Sequence, residues 1–226
     1  VEEKKIIVKE REPLFSKKNK KLISDPLDEN NPITIQVLGI CSALAVTVQM
    51  KAAVVMSVAV LFVLILANVS ISLIRNLIPN RIRIIVQLVV VAALVIIVDQ
   101  VLKAYLFDVS KELSVFVGLI ITNCIIMGRL EAFALGNKPW PAALDAIGNS
   151  LGYGMVLVIV SFFKELFGSG KLFGFEIFGN ATEQTGLYAM GYMDNGLMLL
   201  PPSSLILVAV YIWIQKLRNP SLIETH

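Results

Sequence analysis

Cys41 and Cys124 are the only two cysteines in the chain, and both stand in apolar surroundings. Cys124 lies in a stretch with no charge between Glu112 and Arg129, and Cys41 lies inside the comparable run Val37 to Thr47. Two thiols meeting in an apolar interior suggest half of an iron–sulfur cluster. An ordinary cluster takes about four thiolates, so two cysteines cannot complete one. The one histidine, His226, stands at the end of the sequence and is no substitute. The cluster reading therefore needs a second copy of the chain, or a partner, to supply two further ligands. Packing is the alternative, because free cysteine is among the most buried residue types. A disulfide between the two would be unusual at this depth.

The elements that carry these thiols belong to a membrane. Of 226 residues 56% are hydrophobic and only 16% charged, against about 25% charged in a soluble domain. The mean hydropathy is +0.76. Net charge is only +3, but 8 of the 20 Lys and Arg precede residue 22. A basic segment beside membrane spans explains that bias better than a nucleic-acid tail. The charged start, with no apolar h-region, predicts no cleavable signal peptide.

Residues 1–29 are polar and read as a mobile cytoplasmic arm, with a short surface helix as an option within it. Pro32 then suits the first turn of a helix. Ile33 to Val48 is 16 residues, about 24 Å of helix and short of a ~30 Å hydrocarbon core. Spans two and three are expected over Ala52 to Ile74 and Ile84 to about Tyr105. Leu113 to Gly128 is again short. Span five is expected over Ala146 to Phe163, residues 164–194 as a loop, and span six over Asn195 to Gln215. The expected fold is all-α: a polytopic membrane protein of six transmembrane helices, with a membrane domain at 30–218 and a cytoplasmic tail at 219–226. The order short, full, full occurs twice and predicts two inverted three-helix repeats with short first helices, about 30–106 and 112–217. Inverted repeats with interrupted helices build sites near the bilayer midplane. With both termini inside, 15 Lys and Arg fall on inner segments and 5 on outer ones, which sets the orientation. The small or polar neighbours Gly39, Ser42, Thr122 and Asn123 could let the cysteine segments approach closely and donate to sulfur.

Several stretches carry a resemblance. N-N-P-I at 30–33, L-G-I-C-S-A-L-A-V-T at 38–47 and S-L-I-R-N-L-I-P-N-R-I-R-I-I-V-Q at 72–87 are three of them. V-D-Q-V-L-K-A-Y at 98–105, the run from Ser114 to Ala134 around Cys124, G-N-S-L-G-Y-G at 148–154 and L-F-G-S-G-K-L-F-G at 166–174 complete the set. Over about residues 30–215 the chain closely resembles the D-type members of the Nqr/Rnf D/E membrane subunit family. These belong to the sodium-translocating NADH:quinone reductase (Nqr). The resemblance implies six spans as inverted halves, paired with the homologous E-type protein of the same complex. It implies that each of the two contributes two cysteines to an intramembrane [2Fe–2S] cluster, here Cys41 and Cys124. The cluster would relay electrons from a cytoplasmic NADH-oxidising subunit to outer-side flavins. The complex, with further A-, B-, C- and F-type components, would couple ubiquinone reduction to Na+ export across a bacterial inner membrane. The Rnf ferredoxin:NAD oxidoreductase has a similar component. The S-A-L-A-V-T after Cys41 and V-D-Q-V-L-K-A-Y look more like the Nqr version.

Other residues are weighed beside this. Gly179–Thr182 lacks the Ser-Gly of a flavinylation motif, so no flavin is expected on this chain. No Gly-rich phosphate cradle follows a strand, so no NAD is expected either, and no nucleic acid. Asp99 and Glu165 near span ends are interfacial charges or sodium-influencing ones. Arg129 and Glu131 either pair, hold a cytoplasmic partner, or serve as positive-inside anchoring. A small inverted-repeat transporter with incidental cysteines is the competing function, and a scaffold is the third. The expected span interiors carry no charge, which weakens the transporter reading.

Overall fold

The computed structural model describes residues 22–27, 30–79, 81–105, 118–169, 171–172, 175–176 and 196–218. Its helices are α1 (Ile40–Val46), α2 (Met50–Ile74), α3 (Arg83–Tyr105), α4 (Cys124–Arg129), α5 (Pro139–Ser169), α6 (Gly196–Leu199) and α7 (Pro201–Arg218). A π-helical turn, Leu130–Ala134, continues α4. Apart from a two-residue antiparallel pair, β1 (Lys171–Leu172) with β2 (Phe175–Glu176), the regular structure of the described residues is helical, as expected.

Among the described residues, three helices are long and apolar enough to cross a membrane: α2, α3 and α5. At 25 residues α2 reaches about 37 Å, beyond the ~30 Å hydrocarbon core. Apolar residues dominate both of its faces, which differ mainly in partner. Ala53, Val60, Val63, Leu64, Ala67 and Ile71 are buried. Val58, Phe62, Leu66 and Leu73 on the other side are exposed. The buried stripe packs chiefly against α5. Small residues allow the close approach, since a Cβ added at Gly154 of α5 would sit 3.1 Å from Ser57 Cβ. α3 is looser: Gln87, Val91 and Val95 are buried while Ile85, Val89, Ile96 and Ile97 are exposed.

The remaining expected spans are interrupted. The first segment turns irregularly through 31–39, forms α1 and breaks again before α2. The fourth is helical over 118–121, breaks at Thr122–Asn123 and resumes as α4. The sixth divides at Leu200 into α6 and α7. Pro201 and Pro202 cause that division, because proline cannot donate to the preceding turn.

Three expectations need correction. Helix α5 has 31 residues, not the 18 of Ala146 to Phe163, and takes in 164–169 from the expected loop. It therefore carries buried Asp145, Lys164 and Glu165, so the interior is not free of charge. A charge beside an apolar run reads as the end of a span, although each of these is satisfied inside the fold. Part of the arm is also packed rather than free of the membrane domain. Residues 22–27 form a helical turn against α5, with Pro26 buried. Gly148 and Gly152 make room for it: a Cβ there would lie 2.6 Å from the Leu22 carbonyl oxygen and 2.3 Å from that of Pro26. Residues 1–21, 28–29, 80, 106–117, 170, 173–174, 177–195 (with Gly179–Thr182) and 219–226 lie outside the described residues.

Candidate functional site

The break that carries Cys41 is built by Asn31. Its Oδ1 accepts the N–H groups of Ile33 (3.0 Å) and Thr34 (3.4 Å), closing a turn around Pro32. Its Nδ2 donates to the Gly152 carbonyl at 3.2 Å and ties the turn to α5. Two residues then take left-handed backbone, Val37 at φ 58° and Gly39 at φ 81°. Positive φ is natural for glycine and strained for β-branched valine. Gly39 is also the place of closest approach, since a Cβ there would lie 2.9 Å from Tyr153 Cε2. Helix α1 follows at once, with Cys41 its second residue.

Asn123 builds the other break. It adopts extended backbone (φ −68°, ψ 119°) and caps α4 by accepting the Ile125 N–H at 3.4 Å. Cys124 is the first helical residue. Both cysteines thus stand in the first turn of a half-helix that follows a break.

The two breaks meet. The Gly39 N–H donates to Cys124 Sγ at 3.1 Å, joining residues 85 apart in sequence. Beneath this bond lies a buried polar network. The Tyr153 hydroxyl donates to Ser42 Oγ (2.6 Å), and Ser42 donates to the Gly39 carbonyl (2.7 Å). Asn123 Nδ2 reaches both Ser42 Oγ and the Tyr153 hydroxyl at 3.3 Å. Gly39, Ser42 and Asn123 are legible in the sequence as polar neighbours of the cysteines. Thr122 does not join them: it is exposed and bonds back to the Gly118 carbonyl at 3.4 Å. Sequence reasoning misses Tyr153, whose only signal is an aromatic hydroxyl set among the glycines of G-Y-G.

Both thiols are free, Cys41 exposed and Cys124 half-buried. Among the described residues no group of three or more His, Cys, Asp and Glu gathers. The donor set of this region is thus two thiols, one already holding an N–H on sulfur. Such a set fits half of a tetrathiolate centre.

Arg129 and Glu131 do not pair with each other. Arg129 forms a forked ion pair with Asp145, donating from Nε at 3.0 Å and from a terminal nitrogen to the other oxygen. It also donates to Gln36 Oε1 (3.3 Å) and lies over the Phe133 ring, 5.6 Å from its centre. Asn149 Nδ2 donates to Asp145 Oδ1 at 3.1 Å. Glu131 instead pairs with Arg83 at 2.5 Å and accepts from Gln87 Nε2 at 3.1 Å. Asp99 pairs with Lys103 one turn away at 2.5 Å, and Glu165 accepts the Met50 N–H at 2.6 Å, capping α2. The buried Lys164 donates to Ser204 Oγ at 2.8 Å. Ser204 lies 3.3 Å from Thr47 Oγ1, a hydroxyl contact that links α7 to the end of α1.

Long apolar helices, and broken segments that bear two free thiols, define a helical membrane protein. Over residues 19–212 the chain matches the Rnf-Nqr family, described as "Rnf-Nqr subunit, membrane protein". The chain belongs to that family. It is 53% identical over 209 residues to the D subunit of the Na(+)-translocating NADH-quinone reductase of Photobacterium profundum, covering 92% of this chain and 97% of that relative.

Proposed function

We propose that this chain is an integral membrane subunit of a Na+-translocating NADH:quinone reductase. It has no stand-alone activity and works within the complex. Cys41 and Cys124 supply two of the four thiolates of a [2Fe–2S] centre, and the homologous E-type protein supplies the others. The A-, B-, C- and F-type components complete the assembly, which sits in a bacterial inner membrane with both termini of this chain cytoplasmic. The six-span, inverted-repeat arrangement belongs to the same proposal. When bound, the centre would carry electrons between the cytoplasmic NADH-oxidising component and outer-side flavins, in step with quinone reduction and Na+ export.

The observation that carries this reading is the bond from the Gly39 N–H to Cys124 Sγ. It draws together the two breaks that bear the only thiols of the chain. Hydrogen bonds to sulfur are among the factors that set a cluster's potential. In this chain the residues do three things. Gly39 donates to sulfur, Asn123 starts the half-helix at Cys124, and Asn31 holds the first break against α5. The buried charges do not revive a transporter reading, because Asp145, Lys164 and Glu165 all bond to groups of this chain.

The test is iron content and electron paramagnetic resonance of the reduced complex, wild type against Cys124→Ser. A [2Fe–2S] signal present in the first and lost in the second is the expected result. NADH should still reduce the peripheral flavin in the variant, and electrons should stop there. Unchanged iron, spectrum and quinone reduction would make Cys124 a packing residue and turn attention to the scaffold reading.

A further inference from the structure

Tyr153 has no part in the reading above, yet its hydroxyl joins all three elements that meet at the thiols. It is fully buried on α5. A buried hydroxyl in an apolar interior is costly unless it is bonded, and this one is bonded on both sides. It donates to Ser42, one residue past Cys41, and accepts from Asn123, one residue before Cys124. Ser42 in turn holds the Gly39 carbonyl, and the N–H of the same Gly39 sits on Cys124 Sγ. The ring packs against Gly39, where no side chain would fit. Gly39, Ser42 and Asn123 lie on two segments that are distant in sequence, and the Tyr153 side chain of α5 is in touch with all three.

We propose that Tyr153 is a positioning residue for the thiol pair: its hydroxyl locks the two breaks together and keeps the Gly39 N–H on the Cys124 sulfur. The inference rests on the cluster reading. Tyr153 acts through Ser42, Gly39 and Asn123 rather than as a ligand. An N–H bond to sulfur favours the more negatively charged, reduced state of a thiolate-bound centre. Loosening the lock should therefore lower the midpoint potential.

The experiment compares wild type, Tyr153→Phe and Ser42→Ala in the intact complex, by iron content, g-values and potentiometric titration. Tyr153→Phe keeps the ring and removes only the hydroxyl. The expected result is full iron with altered g-values and a reduction equilibrium about threefold to tenfold less favourable, tenfold being 59 mV for a one-electron couple. Ser42→Ala should shift in the same direction, and the double variant should shift by less than the sum, because both cut one network. Full iron with unchanged g-values and potential in Tyr153→Phe overturns the proposal. If Tyr153→Phe does not assemble, Ser42→Ala decides on the same criteria. Failure of the underlying reading looks different: the wild-type complex would then lack the signal, or Cys124→Ser would retain it.

Discussion

The Arg129–Asp145 pair holds α4 to α5 directly after the cysteine-bearing break, so removing Asp145 should show what fixes that half-helix. Asp145 is only 2% exposed and accepts two Arg129 nitrogens as well as Asn149 Nδ2. The Arg129 side chain is 15% exposed, so an orphaned guanidinium has little water to turn to. Breaking a buried pair from one side costs about 3–5 kcal/mol. The remaining bond to Gln36 and the ring contact with Phe133 soften this, and we expect about 3 kcal/mol for Asp145→Ala. For a chain of this size each kcal/mol is worth about 2–4 °C, so the melting midpoint should fall by about 6–12 °C. Thermal unfolding of the purified complex, following retention of this chain, reads the effect. The control is the double variant Arg129→Met/Asp145→Leu. It leaves no unpaired charge and should recover most of the loss, since apolar replacement of a buried pair is often neutral. A fall under about 2 °C for Asp145→Ala, or a double variant as unstable as the sum of the single variants, would refute the reasoning.

Two further outcomes follow from backbone space. Gly39→Ala places a Cβ 2.9 Å from the Tyr153 ring at φ 81°, where an L side chain costs about 1–2 kcal/mol; iron content of the complex should drop, and an unaltered value would show that the break can yield. Gly152→Leu forces the 22–27 turn off α5, because Pro26 O stands 2.3 Å from the new Cβ. Limited trypsin digestion of the complex should then cut faster after Lys20 and Lys21, and an unchanged rate would mean that the turn is held elsewhere.

The membrane character of α2 and α3 is plain from long runs almost free of charge, and their ends at Ile74 and Tyr105 fall where the sequence places them. The shortness of the cysteine segments is equally visible, because a 16-residue stretch cannot cover the hydrocarbon core. The length of α5 is not. Asp145, Lys164 and Glu165 look like helix ends in one dimension, and only their partners Arg129, Ser204 and the Met50 N–H make them acceptable inside. The docking of residues 22–27 is hidden for a related reason. A polar arm carries no sign that Gly148 and Gly152 leave a groove shaped for its backbone.

What depends on local composition was legible in the sequence: the apolar helices, the shortness of the two cysteine segments, and the thiols within them. Which groups meet was decided by the tertiary structure alone. The bond from Gly39 to Cys124 spans 85 residues and that from Tyr153 to Ser42 spans 111. A stretch of small and polar residues that makes such contacts looks the same in sequence whether or not a partner faces it. The contacts exist because α5 packs along α2 and presents Tyr153 to both breaks at once.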